Sequence, residues 1–437
     1  MMDTITERKW HLIRNDNGEW ISDDNAVDVS KEEVQRLKVM AMRANKKLSV
    51  QHGIEGCLWC YKHEYDEIFK ELNMEQTNLS TVEQTHAVLM NAENKVWETI
   101  YKRYAEGIIM NKEKYGRNAK AFQPKSPLIT YSCIGKVMDN DNTTSYDLRF
   151  AGQSVGLVCV NEKWPDKVRL TVNEEQAKYA KEKFHFENSK AFNRIDWKND
   201  AKAIDFRRFY MNNESTKDIA VKSQEHRIES LMLQEFSKTL RKQKKLLCNI
   251  QPVKLGGKFF QLKTPLKGSA HDPAISLKTN KNGATGGGID ILARVKHGAF
   301  NSRLAVIELK DEKSESQEFA MFQALIYATF IANLLRSESG KKWWYIFKEK
   351  KGTKDVLNNI GKIDFSKIDE KLEEVPKDLH IDVVTLMHKE DTKEGSFEDI
   401  TIKELKVTFH LYSLYYETDE KGNPIRFTGT LKDVLKK

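Results

Sequence analysis

The segment Gly288-Ile289-Asp290-Ile291-Leu292-Ala293-Arg294-Val295-Lys296-His297-Gly298-Ala299-Phe300-Asn301-Ser302-Arg303-Leu304-Ala305-Val306-Ile307-Glu308-Leu309-Lys310 decides the fold predicted for this chain. Two apolar runs flank a turn at residues 297–302, and this pattern predicts a β-hairpin. If the hairpin closes at Ala299, residues whose numbers sum to 598 face each other, and Asp290 and Glu308 are such a pair. Opposed Cβ atoms lie about 4.5–5.5 Å apart, so the two carboxylates would be neighbours unless the register slips.

Asp290, Glu308 and Lys310 are charged residues in apolar strands, where charges are rare unless they are paired or bind a metal. Because side chains alternate along a strand, Glu308 and Lys310 share one face. Two facing carboxylates repel each other unless a cation lies between them, so the hairpin predicts a divalent-metal site. Oxygen ligands favour Mg²⁺ or Mn²⁺ over zinc. A lysine beside such a metal suits hydrolysis of a phosphodiester, because it can hold or deprotonate the attacking water.

The same residues resemble a known nuclease signature. Gly288-Ile289-Asp290, seventeen intervening residues and Glu308-Leu309-Lys310 resemble the motif of the PD-(D/E)xK nuclease superfamily. Gln323-Ala324-Leu325-Ile326-Tyr327 looks like the Q-x-x-x-Y helix of its RecB-type and lambda-exonuclease-type branch. Ile289 stands where some members have a proline before the aspartate.

The resemblance implies a metal-dependent nuclease whose usual substrate is DNA. It implies that Asp290, Glu308 and the Leu309 carbonyl hold the metal and that Lys310 is catalytic. A glutamate on the first helix usually completes the metal site in the superfamily, which implies Glu229 here.

Further residues belong to the predicted site. Glu225 and Glu235 are rivals of Glu229 for the helix position. Gln323 and Tyr327 are four residues apart and share a helix face. The resemblance implies that both belong to the site, and we place Gln323 among the catalytic residues and Tyr327 among the nucleic-acid contacts. A structural hydrogen bond is the alternative role of Gln323.

The order of elements in the second half agrees with the αβββαβ core that the resemblance implies. The predicted elements are a helix over 223–245, strands over 258–262, 289–295 and 304–310, a helix over 319–335 and a strand over 343–347. We therefore expect an α/β protein with a restriction-endonuclease-like mixed sheet in residues 216–437. The polar stretch 211–218 marks its boundary with an α+β domain in residues 1–215.

The N-terminal half carries local signals but no motif that identifies a role; a targeting or sensing role follows only by analogy with nuclease fusions. Two alternating runs flank Asn15-Asp16-Asn17-Gly18 and predict a hairpin. Ser30 is placed to cap a helix that begins at Lys31. Several strands are predicted between residues 128 and 172. Cys57 and Cys60, with His52 and His63 nearby, could offer a zinc site, although buried thiols explain the cysteines more simply.

Composition narrows the class of protein and its partners. Of the 437 residues, 39% are hydrophobic and 31% are charged, which excludes a disordered or collagen-like chain. The net charge of +8 permits a nucleic-acid partner. The segment 222–263 has ten Lys/Arg against three Glu. The predicted phosphate contacts in it are Arg241, Lys242, Lys244 and Lys245. A solvated helix end is the alternative.

The sequence contains no pattern typical of a membrane span or a signal peptide. The longest apolar stretch, Phe319–Leu335, is 17 residues long and falls short of the roughly 20 that span a bilayer. No basic-then-apolar signal pattern opens the chain. We expect a cytoplasmic protein with no membrane partner. A homodimer would suit cleavage of both duplex strands.

Three alternatives to a DNA endonuclease of defence or DNA processing stay open. The chain could be a nuclease fold that binds nucleic acid or a protein without cutting. It could cut RNA or a single-stranded end, because a metal site does not distinguish the sugars. Asp290, Glu308 and Lys310 could also form a purely structural ion network.

Overall fold

The structure of the chain is a computed structural model. It describes residues 12–14, 17, 19–22, 25–43, 46–52, 58–75, 78–106, 108–109, 129–134, 144–150, 153–160, 167–172, 191–196, 199–211, 224–238, 245–247, 249–255, 258–259, 261–267, 274–275, 287–298, 301–311, 316–348, 372–389, 397–420 and 422–435. The chain divides into two compact units, Met1–Thr81 and Val82–Lys437.

The first unit contains a hairpin and a three-stranded sheet with two helices. Its elements are β1 (Leu12–Arg14), β2 (Trp20–Ser22), β3 (Ala26–Val29), α1 (Lys31–Arg43), β4 (Val50–His52), β5 (Leu58–Tyr61) and α2 (Lys62–Glu75). Leu12 pairs with Ser22, which confirms the predicted hairpin. The Glu33 backbone N donates to Ser30 Oγ at 3.1 Å, so Ser30 caps α1 as predicted.

The thiol of Cys60 lies in the core of this unit. Burial raises its pKa to about 11, and the carboxylates of Glu64 and Glu33 add to the shift. Zinc needs the deprotonated thiolate, and this environment favours the thiol. His52 and His63 are exposed at the surface, and Cys57 lies outside the described residues. A buried thiol therefore explains Cys60 better than a zinc ligand does.

A mixed seven-stranded sheet forms the centre of the second unit. Its strands are β11 (Ile250–Pro252), β16 (Ile291–Lys296), β17 (Ser302–Leu309), β18 (Leu379–His388), β19 (Ile400–Ile402), β20 (Val407–Thr418) and β21 (Pro424–Thr428). The strand order is β11-β16-β17-β18-β20-β19, and β21 also pairs with β20. β18 runs parallel to β17 and to β20, and the remaining pairs are antiparallel. The fold is therefore mixed α/β.

Helices cover both faces of this sheet. They are α6 (Gln224–Ser237), α7 (Gln317–Arg336), α8 (Gly340–Phe347) and α9 (Thr430–Leu435). Along β17, Leu304 and Val306 join the core beneath α7 and α8, whereas Ile307 and Leu309 join the core beneath α6 and α9. Alternation along one strand thus supplies two hydrophobic layers.

The register of the central hairpin agrees with the prediction. Ile291 pairs with Ile307, and Lys296 pairs with Ser302, so the numbers of paired residues sum to 598. Asp290 precedes the first paired residue of β16 and so lies across from Glu308. The alternation of apolar residues and the position of the turn were sufficient to fix this register.

The long apolar helix predicted over 319–335 is α7, which extends from Gln317 to Arg336. Ser316 caps it by accepting a hydrogen bond from the Phe319 backbone N at 3.3 Å. Among the described residues, α7 is the one helix long and apolar enough to cross a membrane, and 89% of its apolar window is buried inside the protein. Helix α7 packs in the hydrophobic core against one face of the sheet.

The strand predicted over 343–347 is wrong, because these residues form α8. Trp343, Ile346 and Phe347 are buried, and this i, i+3, i+4 pattern is that of a helix packed on one side. Five consecutive apolar residues do not distinguish a strand from a helix by periodicity alone. The strand that follows α7 in the sheet is β18.

The strand predicted over 258–262 is present at Lys258–Phe259, but it does not belong to the main sheet. β11, at Ile250–Pro252, is the strand that pairs with β16. Residues 258–259 instead form β13, which pairs with β12 (Lys254–Leu255) in a separate two-stranded sheet. The helix predicted over 223–245 ends at Ser237 as α6. A second small sheet joins β14 (Leu266–Lys267) to β15 (Ala274–Ile275).

The rest of the second unit comes from earlier in the chain. Its elements are α3 (Asn78–Met90), α4 (96–106), β6 (Ile129–Ile134), β7 (Thr144–Phe150), β8 (Gln153–Val160), β9 (Val168–Val172), β10 (Ala191–Ile195) and α5 (Ala201–Met211). β6 to β10 form one antiparallel sheet, which confirms the strands predicted between 128 and 172. The boundary predicted near residue 215 falls outside the described residues and stays a prediction.

Helix α4 is part of the same core as α7 and α8. The Trp97 and Tyr101 rings lie 5.6 and 4.9 Å from the Phe330 ring. Trp343 Nε1 donates to the Tyr101 carbonyl at 3.2 Å. The aromatic layer on one side of the sheet is thus shared between residues before and after position 215.

We expect a fragment of residues 216–437 to fail to fold stably, whereas a fragment of residues 82–437 should unfold cooperatively. Loss of α4 exposes aromatic surface on Phe330 and Trp343, and burial of each such side chain stabilises a fold by about 1.5–3 kcal/mol. Circular dichroism with thermal unfolding checks this. Equal cooperativity and melting temperature in the two fragments would contradict it.

Candidate metal centre and active site

The carboxylate of Asp290 lies at the end of the central hairpin, where β16 begins. Its Oδ2 accepts a hydrogen bond from the Leu309 backbone N at 2.9 Å. This bond joins Asp290 to the peptide next to Glu308, so the hairpin brings together the two acidic residues that the sequence predicted as neighbours. Asp290 is half-buried, whereas Glu308 is buried.

Lys310 follows the last residue of β17 and is buried with 7% of its surface exposed. Its Nζ lies 3.2 Å from Glu308 Oε1 and 3.8 Å from Glu225 Oε1. The lysine therefore places one positive charge among the acidic groups of the site. The side chains of Glu308 and Lys310 share a strand face, as alternation predicts.

Helix α6 contributes two further carboxylates. Glu229 is buried, and its Oε1 accepts a hydrogen bond from Gln261 Nε2 at 3.4 Å. Its Oε2 lies 3.5 Å from His226 Nδ1. Glu225 is more exposed and reaches Lys310. Gln261 was missed by the sequence reasoning, because no local pattern marks an isolated glutamine that meets a helix 32 residues away.

The third helix glutamate, Glu235, has a different role. Its Oε1 accepts a hydrogen bond from the Leu246 backbone N at 2.7 Å, and its Oε2 pairs with Lys238. These contacts join the end of α6 to the segment that leads into β11. Glu235 is therefore accounted for by structure, and Glu229 and Glu225 remain as the helix carboxylates of the site.

The electrostatics of the site are those of an acidic cluster with one cation. Burial raises the pKa of Asp290 well above its usual range, and the carboxylates of Glu308, Glu229 and Glu225 raise it further. Lys310 acts in the opposite direction. The Asp290 carboxyl thus interacts with three other carboxylates and with the Lys310 ammonium group, and an added cation would relieve the repulsion.

Of the two predicted residues of α7, Tyr327 lies near the site, and Gln323 is buried on the same helix. Tyr327 is buried and its hydroxyl lies against Gly287, three residues before Asp290. Gln323 is 4% exposed, and its Oε1 has no hydrogen-bond partner among the described residues. A buried amide oxygen in this position is costly unless a ligand or water satisfies it. The catalytic role of Gln323 stays a prediction.

Gly287→Ala is expected to destabilise the protein by about 1–3 kcal/mol through overpacking. A Cβ on Gly287 would lie 2.0 Å from Tyr327 Oη and 2.9 Å from Tyr327 Cζ. The backbone of Gly287 cannot easily shift, because its N donates to the Leu266 carbonyl and its carbonyl accepts from the Thr264 N. Urea unfolding measures the loss.

Gly288→Ala is the matched control for this prediction, because its Cβ would meet no atom closer than 3.5 Å. Adding Tyr327→Phe to Gly287→Ala should recover part of the loss, since the hydroxyl contact disappears. Equal stability of the two single alanine variants would overturn the argument.

Of the four predicted phosphate contacts, Lys245 is among the described residues. Arg241, Lys242 and Lys244 lie outside the described residues, and their role stays a prediction. Lys245 Nζ donates to the Phe236 carbonyl at 2.9 Å and to the Ile250 carbonyl at 2.8 Å. Its charge therefore joins the carboxyl-terminal end of α6 to β11, which agrees with the alternative of a cation at a helix end.

A metal site in the strict sense requires several ligands that converge. Within the described ranges, no three His, Cys, Asp or Glu side chains already converge as a metal-binding group. The chemistry of the donors nevertheless suits a hard cation, because Asp290, Glu308, Glu229 and Glu225 offer only carboxylate oxygens.

Comparison of the chain with protein-family models, with curated proteins and with solved structures finds no match. The function is therefore inferred from the residues and contacts described above.

Proposed function

We propose that the protein is a metal-dependent nuclease that hydrolyses phosphodiester bonds of DNA. The observation that carries this proposal is the position of Asp290. Its carboxylate bonds to the peptide beside Glu308, and Glu229, Glu225 and Lys310 act on its pKa. An acidic cluster with one lysine at the end of two paired strands suits phosphodiester hydrolysis.

The order of elements supports a restriction-endonuclease-like core. α6 precedes the antiparallel strands β11, β16 and β17, and α7 then connects β17 to the parallel strand β18. This is the order helix, three strands, helix, strand, with β18 in the place that the sequence reasoning gave to 343–347. The resemblance of the Asp290, Glu308 and Lys310 motif to the PD-(D/E)xK superfamily agrees with this order.

In this proposal Asp290, Glu308 and the Leu309 carbonyl hold Mg²⁺ or Mn²⁺, with Glu229 completing the set. The bound metal would lower the pKa of a coordinated water and offset charge on the phosphate. A cation bound among these carboxylates would offset the repulsion that raises the pKa of Asp290. Gln261 and His226 hold the two oxygens of Glu229, which fixes the orientation of its carboxylate.

Lys310 is the residue that acts on the reacting groups. Hydrolysis forms a bond between the water oxygen and phosphorus, breaks the bond from phosphorus to one sugar oxygen, and moves a proton from the water to that sugar oxygen. The Lys310 ammonium group, held beside Glu308, would orient the attacking water and offset the charge that develops on the phosphoryl oxygens. Its burial strengthens this effect, since a low local dielectric weakens charges less than water does.

Incubation with supercoiled plasmid and with linear DNA, in Mg²⁺, Mn²⁺ or EDTA, tests the proposal. Metal-dependent nicking or linearisation of the plasmid would support an endonuclease, and degradation of linear DNA alone would support an exonuclease. The same assay with single-stranded RNA separates the two nucleic acids. A folded protein that neither binds Mg²⁺ or Mn²⁺ in calorimetry nor cleaves any substrate would refute the proposal.

A further inference from the structure

The backbone of Lys310 is held on both sides by neighbouring strands. Its N donates to the Leu386 carbonyl of β18 at 3.0 Å. Its carbonyl accepts a hydrogen bond from the Tyr416 hydroxyl of β20, also at 3.0 Å. Lys310 lies beyond Leu309, the last residue of β17 paired with β18, so the Tyr416 bond extends the restraint past the end of the ladder.

Tyr416 is itself rigidly placed. Its side chain is 0% exposed and belongs to the core beneath α6 and α9. The His388 ring packs edge-on against its ring at 5.2 Å. A buried tyrosine needs a partner for its hydroxyl, and here that partner is the carbonyl of the lysine that the proposed mechanism uses.

We propose that Tyr416 is a positioning residue for Lys310, an inference that rests on the proposed nuclease function. The Tyr416 hydroxyl fixes the peptide from which the Lys310 side chain extends toward Glu308. Removal of the hydroxyl leaves a carbonyl that can rotate, and the ammonium group then samples positions away from the water and phosphate. Small displacements of a catalytic group lower the rate without altering how substrate binds.

The neighbouring residue supplies a matched control. Tyr415 precedes Tyr416 on β20 and faces the other side of the sheet, and its hydroxyl donates to Gln317 Oε1 at 3.0 Å. It is also buried. Tyr415→Phe and Tyr416→Phe each remove one buried hydroxyl and its hydrogen bond, and each should cost about 1 kcal/mol of stability. The Tyr416 hydroxyl bonds the Lys310 carbonyl, whereas the Tyr415 hydroxyl bonds Gln317.

The test compares kcat and KM for DNA cleavage in the wild-type chain, Tyr416→Phe and Tyr415→Phe. We expect Tyr416→Phe to lower kcat about tenfold with KM unchanged, and Tyr415→Phe to cleave at the wild-type rate. Thermal unfolding of both variants identifies a temperature at which both are folded, and the assay is run there. Thus a difference in stability alone cannot produce the kcat difference.

Each outcome decides one question. Equal kcat in the two variants, with an active wild type, would overturn the positioning role and leave the nuclease proposal intact. A rise in KM together with a fall in kcat would assign Tyr416 to substrate binding. That result would also overturn the positioning role. A wild type that binds no metal and cuts no nucleic acid would overturn both.

Discussion

Lys310→Ala is expected to lower metal-dependent DNA cleavage by about 10²–10³-fold, the range typical for removal of one group that stabilises charge developing in the transition state. The ammonium group lies 3.2 Å from Glu308 and 3.8 Å from Glu225 and is buried. A water molecule in the same place would carry no fixed charge. The rate of plasmid nicking at saturating Mg²⁺ measures the effect.

Lys389→Ala is the control for this prediction. Lys389 is an exposed lysine that pairs with Glu417 at 2.8 Å on the same sheet, and its loss should not change the rate. DNA binding in EDTA should be retained by Lys310→Ala. Cleavage by Lys310→Ala at the wild-type rate would exclude the proposed role of this lysine.

The same variant separates the alternative functions. In a protein that binds DNA without cutting, Lys310→Ala would leave DNA binding and biological effect unchanged, and the wild type would show no cleavage. In a purely structural ion network, Lys310→Ala would unfold at a much lower temperature, because Glu308 and Glu225 would lose the ammonium group that lies beside them. A folded, DNA-binding and inactive variant is the outcome specific to the nuclease.

Local sequence was sufficient for the hairpin that organises the site. The turn around Ala299 and the alternation in both strands gave the observed pairing of Ile291 with Ile307. A shift by one residue would have moved the apolar side chains of a strand to the other face, so the register was strongly determined. The proximity of Asp290 and Glu308 followed from this pairing.

Sequence failed where tertiary packing decides the structure. Residues 343–347 are apolar throughout, and only their position against Tyr101 and Phe330 shows which side is buried. In the same way β11 is three residues long and carries too little pattern to identify it as a strand of the main sheet.

The contacts that position the site were also invisible in the sequence. Tyr416 reaches Lys310 across 106 residues, and Gln261 reaches Glu229 across 32. Tyr327 was predicted as a nucleic-acid contact, whereas the structure places its hydroxyl against Gly287. The motif residues could therefore be named from sequence, but the groups that orient them required the fold.

Asp290→Asn is expected to abolish cleavage and at the same time to stabilise the metal-free protein. The asparagine side chain has the same shape, and its oxygen can still accept the hydrogen bond from the Leu309 N. The substitution removes a carboxylate whose ionised form is disfavoured by burial and by three neighbouring carboxylates. Each kcal/mol gained raises the melting temperature of a domain of this size by about 2 °C.

The stability that Asp290→Asn gains over the wild type without metal should increase with pH. Asp290 has a raised pKa in the folded protein, above the value of about 3.9 expected in the unfolded chain. Below that pH both states hold the proton, and Asp290 does not affect stability. As pH rises the unfolded chain ionises first, so the wild type loses stability until the pH passes the raised folded pKa. The advantage of Asp290→Asn should therefore grow above about pH 4 and then level off.

Without metal, Asp290→Asn should be more stable than the wild type, and Mg²⁺ or Mn²⁺ should make the wild type the more stable of the two. A cation that binds only the folded state stabilises it by about 2.7 kcal/mol at 100 times the dissociation constant, and Asp290→Asn should lose most of this effect. Melting temperatures in EDTA and in Mg²⁺ give the comparison. Glu338→Gln, an exposed carboxylate paired with Lys102, is the control and should respond to Mg²⁺ as the wild type does. Equal stabilisation of Asp290→Asn and the wild type by Mg²⁺ would show that the metal binds elsewhere. A cluster of carboxylates that destabilises the folded state until a cation binds distinguishes a metal-binding site from a structural ion network.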